Sequence, residues 1–111
     1  MARGVLVIQT DPKLGHELAF DEFYDGVHLR QVCETPGFVR GRRFVAVTGN
    51  GLPVRPEGEW LESLAIYDIE SEDLAASYRA MLARDLTYRD VFSKVRPYRA
   101  RLFEQVFETR R

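Results

Sequence analysis

Glu22 to Phe38 reads EFYDGVHLRQVCETPGF, a helix-period segment that carries a histidine, stops at a Pro-Gly turn and releases the chain into an apolar strand. Taken back to Glu17, the apolar residues Leu18, Phe20, Phe23, Tyr24, Val27 and Val32 recur with helical spacing. A helix is therefore predicted from Glu17 to about Cys33, with acids in its first half as the macrodipole prefers. Tyr24 and His28 are one turn apart, so both rings project from one face, shared with Phe20, Val27 and Gln31. That face is mostly apolar and turns inward. A titratable ring in such a place is either a satisfied core histidine or the working part of a pocket. Gly26, in mid-helix, costs roughly 1 kcal/mol relative to Ala, so either something approaches the backbone closely there or the helix tolerates it.

Outward from this segment the periodicity changes. Upstream, GVLVIQT at Gly4 to Thr10 is β-branched and closed by Asp11-Pro12, and it reads as a strand from Val5 to Thr10 buried on both faces. Downstream, FVRGRRFVAVT at Phe38 to Thr48 alternates as a second strand. Strict alternation puts Phe38, Arg40, Arg42 and Phe44 on one side and Val39, Gly41, Arg43 and Val45 on the other. Gly49 to Gly58, rich in Gly and Pro, is a loop between antiparallel strands. WLESLAIYDI, Trp60 to Ile69, is the third strand. Ser71 is expected to cap a helix from about Glu72 to Ala83, striped by Leu74, Tyr78, Met81 and Leu82. A weakly patterned segment with Tyr88, Val91 and Phe92 follows, and a last strand from about Tyr98 to Phe107 is entered after Pro97.

Length and composition narrow the rest. The chain has 111 residues, 45% hydrophobic and 30% charged, which describes one globular domain over residues 1–111. A domain this small buries a modest core, so a pocket of useful volume is expected to need a second subunit. A formal charge of −1 gives no general attraction for nucleic acid or anionic lipid. The only lysines are Lys13 and Lys94, and the arginines are interspersed with acids. A single cysteine, Cys33, excludes an internal disulfide and fits a reducing compartment. The short apolar run near the N-terminus matches neither a spanning helix nor a leader, which makes the cytoplasm the expected location. No metal constellation, phosphate loop or dinucleotide fingerprint is present, so neither metal nor cofactor is expected.

The element order is βαββαβ, and the crossover rule places both helices on one face of a four-stranded antiparallel sheet. This is an α+β, ferredoxin-like domain. Its strands are apolar on both sides, Leu6 and Ile8 against Val5 and Val7, Leu61 and Ala65 against Leu64 and Ile66. The helix-free face therefore needs a cover, and the simplest is another copy of the chain.

Phe23, Tyr24, His28, Pro36, Gly37, Phe38, Arg42, Arg43, Leu64, Ala65, Tyr67 and Asp68 together resemble the pattern of the dimeric α/β-barrel superfamily. Within it the likeness is to the EthD-like branch, named from ethyl tert-butyl ether degradation. The resemblance implies a homodimer paired through the helix-free sheet faces, with a pocket in each subunit between sheet and helices. Phe23 stands where that pattern often has tryptophan, and Val27 where it often has an acid.

His28 is the candidate catalytic base or acid, since imidazole titrates near neutrality. Tyr24 could hold a carbonyl or phenolate oxygen, and Arg43 could stabilise developing negative charge. Phe20, Phe23, Tyr67, Tyr78 and Trp60 are candidates for substrate binding. Each has a plainer alternative: a capping histidine, a core aromatic, or an arginine paired with Glu62 or Asp68. His16 reads as an exposed loop residue, Asp25 as a helix-surface carboxylate that could orient His28, and Cys33 as a buried thiol. With the resemblance, these residues imply a cofactor-independent enzyme that moves protons on an apolar or aromatic carbonyl compound, of cyclase, isomerase, dehydratase or decarboxylase type. A cofactor-free oxygenase and a non-catalytic small-molecule-binding dimer are the alternatives.

Overall fold

The computed structural model describes residues 1–47, 49, 51–52 and 60–111. Its elements run β1 (Ala2–Thr10), α1 (Glu17–Phe23), a π turn (Tyr24–His28), α2 (Leu29–Cys33), β2 (Phe38–Val45), β3 (Ser63–Ser71), α3 (Leu74–Leu82) and β4 (Arg99–Glu104). The strands form one antiparallel sheet in the order β2-β3-β1-β4. That is the ferredoxin-like arrangement the sequence predicts. No described helix is long and apolar enough to cross a membrane.

Register sorts the side chains. Leu6 of β1 faces Tyr67 of β3 and Leu102 of β4, and these pairs point to the helices, as do Ile8, Ala65 and Ile69. Against them pack Phe20, Phe23, Tyr24 and Val32 from the first helix, Leu74 and Met81 from α3, and Val91 from the segment after it. Burying each large side chain is worth roughly 1.5–3 kcal/mol, so this layer carries the fold. Between Phe38 and Arg40 the pairing of β2 slips by one residue. Simple alternation puts Phe38 opposite Arg43; the bulge returns Phe38 to the helix side, where it is buried beside Tyr67, together with Gly41 and Arg43.

The Thr35-Pro36-Gly37 stop works through backbone geometry. Gly37 has φ of +92°, and a Cβ there would lie 3.1 Å from Ser77 Oγ and 3.3 Å from Ser71 Cβ. Gly41 has no room for a different reason: a Cβ would sit 2.8 Å from Cys33 Sγ and 3.2 Å from the Tyr67 ring. Its bare backbone lets α2 close down on the sheet.

Several boundaries differ from those expected. β3 begins at Ser63 rather than Trp60, because Asp11 Oδ1 accepts from the Glu62 amide at 2.7 Å and holds the entry before the ladder starts. The cap of α3 is Asp73, whose side chain accepts from the Ala76 amide at 3.0 Å, and not Ser71, which still belongs to β3. β4 ends at Glu104 rather than Phe107. The loop expected at Gly49 to Gly58 falls mostly outside the described residues.

Candidate functional site

The first helix widens at the residues singled out by the sequence. The Leu29 amide donates to the Tyr24 carbonyl, five residues back, which makes Tyr24–His28 a π turn set between α1 and α2. Gly26 lies within it, and a Cβ there would meet nothing within 4 Å. No close approach accounts for this glycine; the turn tolerates it. The π turn brings the His28 ring edge-on to Tyr24, centroids 5.1 Å apart, and stacks it on Phe23 at 5.4 Å.

Phe92 closes the group. It stands 5.4 Å from Phe20 and 6.1 Å from each of Phe23, Tyr24 and His28. Its segment is tied to the end of β1: Pro12 bridges Phe92, the Lys13 amide donates to the Val91 carbonyl at 2.7 Å, and the Ser93 amide donates to the Asp11 carbonyl at 2.9 Å. Nothing in the weak pattern of that segment marked Phe92 beyond its place beside Val91. His28 and Phe92 are half-buried, so the aromatic cage reaches the surface at those two rings.

His28 Nδ1 is buried and has no hydrogen-bond partner. A satisfied core histidine would bond a carbonyl there. Burial also pushes the imidazole below its ordinary value of 6.5, so the neutral ring dominates at pH 7. Asp25 does not orient it, because both its oxygens are taken by Arg43.

Arg43 leans from β2 across the open side of the helix. Its Nε and Nη2 donate to the two Asp25 oxygens at 2.6 and 3.0 Å, and Nη2 lies 3.2 Å from Asp21 Oδ1. The guanidinium stands 6.0 Å above Phe20 and 5.8 Å above Tyr24. It keeps its charge more firmly than usual through the Asp25 bonds, while Asp25 is held below the usual carboxylate range by the same bonds. Arg40 and Arg42 instead reach Asp68, at 2.7 and 3.2 Å, on the other face of the sheet.

Beneath the cage lie three hydroxyls. Those of Thr10 and Tyr67 flank that of Tyr24 and engage it, although neither Thr10 Oγ1 nor Tyr67 OH reaches strict hydrogen-bond geometry. Burial raises both tyrosines above their ordinary range, so each remains a protonated donor.

Comparison with solved structures matches this architecture. A protein described as "a putative monooxygenase" from Shewanella loihica PV-4 superposes with a TM-score of 0.57 at 16% identity, over 98% of this chain and 99% of that one. An ethyl tert-butyl ether d (EthD) family protein from Bacillus halodurans C-125 gives a TM-score of 0.49 at 19% identity, over 77% of this chain and 75% of that one. The first likeness extends over the whole chain. It establishes a shared fold. No protein-family model and no curated protein matches the sequence.

Of the sequence candidates, Phe20, Phe23, Tyr24 and His28 meet in the cage, Tyr67 lies under it and Arg43 over it. Tyr78 is on α3 with Tyr98 as its titratable neighbour, and no ring contact joins it to the cage. Trp60 is 58% exposed, and its carbonyl accepts from Arg96 Nη2 at 2.7 Å. His16 is exposed at the start of α1. Cys33 faces Gly41 and Tyr67; burial, and then Asp68, push its thiol up and away from reactivity. No group of acids, histidines and cysteine among the described residues could hold a metal.

Proposed function

We propose that the chain is a cofactor-independent small-molecule enzyme in which His28 moves a proton on an apolar or aromatic carbonyl compound held in the aromatic cage. The observation that carries this reading is the half-buried, neutral His28 imidazole among Phe23, Tyr24 and Phe92, its Nδ1 buried and without a hydrogen-bond partner. A neutral imidazole can take a proton from the carbon beside a carbonyl, the electrons passing to the oxygen as an enolate while the Tyr24 hydroxyl donates to that oxygen. Returning the proton at another carbon completes an isomerisation, and expelling hydroxide from the β-carbon completes a dehydration; in a decarboxylation the bond to the carboxylate breaks instead, its electrons forming the same enolate, which the imidazolium form of His28 protonates. Arg43, held by two carboxylates, is better suited to positioning Tyr24 than to meeting the oxygen directly.

The proposed assembly is a homodimer through the helix-free sheet face, where Phe44 and Phe103 are 42% and 47% exposed beside Val5, Val7, Leu64 and Ile66. A second reading is a cofactor-free oxygenase, in which the same carbanion supplies electrons to dioxygen. It is favoured by the description of the Shewanella loihica protein. The test is turnover of an enolisable aryl ketone by wild type and His28→Ala. Loss of about 100-fold or more in kcat with an unchanged melting temperature is expected; unchanged kcat refutes the role of His28. Oxygen uptake matched to turnover selects the oxygenase.

A further inference from the structure

Where β1 begins and β4 stops, a groove of about 530 Å³ opens beside the first turn of α3. Ala2, Leu74 and Leu102 make its apolar floor, and Glu72, Asp73 and Glu104 stand exposed at its rim. Leu74 reaches the floor because β1 is bare at Gly4, where a Cβ would lie 2.8 Å from Leu74 Cδ1. Asp73 is occupied as the helix cap, accepting from the Ala76 amide. Among the described residues no ion pair reaches Glu72 or Glu104, and Arg3, next to Gly4, is taken by Glu70. An apolar floor under two uncompensated carboxylates suits a ligand that is apolar and cationic at once.

The chain carries a segment of that chemistry. Beyond β4, Gln105 to Arg111 reads QVFETRR, two adjacent apolar residues followed by two arginines. The Gln105 amide donates to the Arg3 carbonyl at 2.8 Å, which keeps the root of the segment in line with the sheet. Val106 and Phe107 are 92% and 80% exposed, so their own chain does not cover them. Arg110 meets only Glu108 of the same segment, at 3.4 Å and in water, where such a pair is worth little. The same exposure shows that the segment does not lie in the groove of its own chain. A second copy offers both the groove and the segment, and two-fold symmetry makes the exchange reciprocal.

We propose that the groove is a docking site for residues 105–111 of a second copy of this chain, with Phe107 seated on Leu74 and Leu102 and the two arginines facing Glu72 and Glu104. The apolar pair holds the arm, and the charges fix its direction. This contact is separate from the open face of the sheet.

The test is disulfide trapping in the Cys33→Ser chain. One batch carries Ala75→Cys in the groove wall, and a second, isotopically heavy batch carries Thr109→Cys in the arm. The two are mixed, left to exchange subunits, oxidised with oxidised glutathione and read by mass spectrometry. The mixed disulfide is expected to form about tenfold or more faster than either like disulfide, and Phe107→Asp in the arm to slow it about tenfold. Arg111→Glu should slow it too, and Glu72→Arg in the groove batch should restore the rate. If Cys33→Ser fails to fold, Cys33 is kept, and its own disulfides are told apart by mass. A mixed disulfide no faster than the like ones overturns the proposal, as does a rate unmoved by Phe107→Asp. A chain bearing both cysteines that closes its disulfide internally assigns the arm to its own groove and also overturns it. A failed trap leaves the tests of His28 and of the sheet-face dimer standing, and a catalytically silent His28 leaves the trap readable.

Discussion

The two faces of the sheet are built from alternate residues of the same strands, yet they have come to different ends. On the helix side Leu6, Ala65, Tyr67 and Ile69 are fully buried under side chains of the same chain. On the other side Val5, Val7, Leu64 and Ile66 form an equally apolar stripe that remains half open, edged by Arg42 over Phe44 on β2 and Arg101 over Phe103 on β4. An antiparallel sheet meant for water on one side alternates apolar with polar residues. This one does so only at its rims, with Arg40, Arg42, Asp68 and Glu70 at one end and Arg99 and Arg101 along β4. The difference teaches that one chain supplies a single cover for a sheet that asks for two.

The strongest way to break this comparison is to charge the open face. Val7→Asp at its centre leaves the helix side untouched and should raise the dissociation constant of the proposed dimer about 100-fold, seen by sedimentation equilibrium. A wild-type chain that sediments as a monomer at tens of micromolar would remove the second cover altogether. A smaller effect sharpens the covered side. Gly41→Ala drives a methyl into Cys33 and Tyr67 and should cost about 1–3 kcal/mol in urea unfolding, whereas Gly26→Ala meets open space and should stabilise by up to about 1 kcal/mol. Equal effects at the two glycines would contradict the packing described for β2.

The smallest expected effect is the pH dependence of stability that His28 imposes. Its folded pKa lies below 6.5, so between that value and 6.5 the unfolded chain binds the proton and the folded chain does not. Stability should therefore fall as pH drops through this window and be fully present above 6.5. His28→Gln should flatten that part of the profile relative to wild type. An identical slope in both would place the imidazole in water rather than in the cage.

Much of the architecture is legible without coordinates, since the two periodicities of the chain and its Pro-Gly and Asp-Pro stops are local matters of backbone sterics and apolar spacing. Phe20, Phe23, Tyr24 and His28 could be put on one helix face for the same reason. Alternation alone puts Phe38 on the side opposite Arg43, whereas the structure turns both to the helices, because a bulge is decided by what the strand pairs with rather than by its own pattern. Phe92 and Thr10 were not legible at all as site residues. The first sits in a segment whose position depends on bonds to Asp11 and Lys13, the second at the end of a strand that looks like any other.

The amino-acid pattern alone determined the order of strands and helices, the layer of helices on one face, and the inward turn of His28, because each follows from interactions between residues near in sequence. Tertiary structure decided that the helix opens into a π turn at that histidine, that Arg43 is spent on Asp21 and Asp25, and that Thr10 and Tyr67 meet Tyr24 while His28 Nδ1 stays without a partner. Those outcomes depend on which distant side chains compete for the same partner, and such competition exists only once the sheet and helices have been brought together.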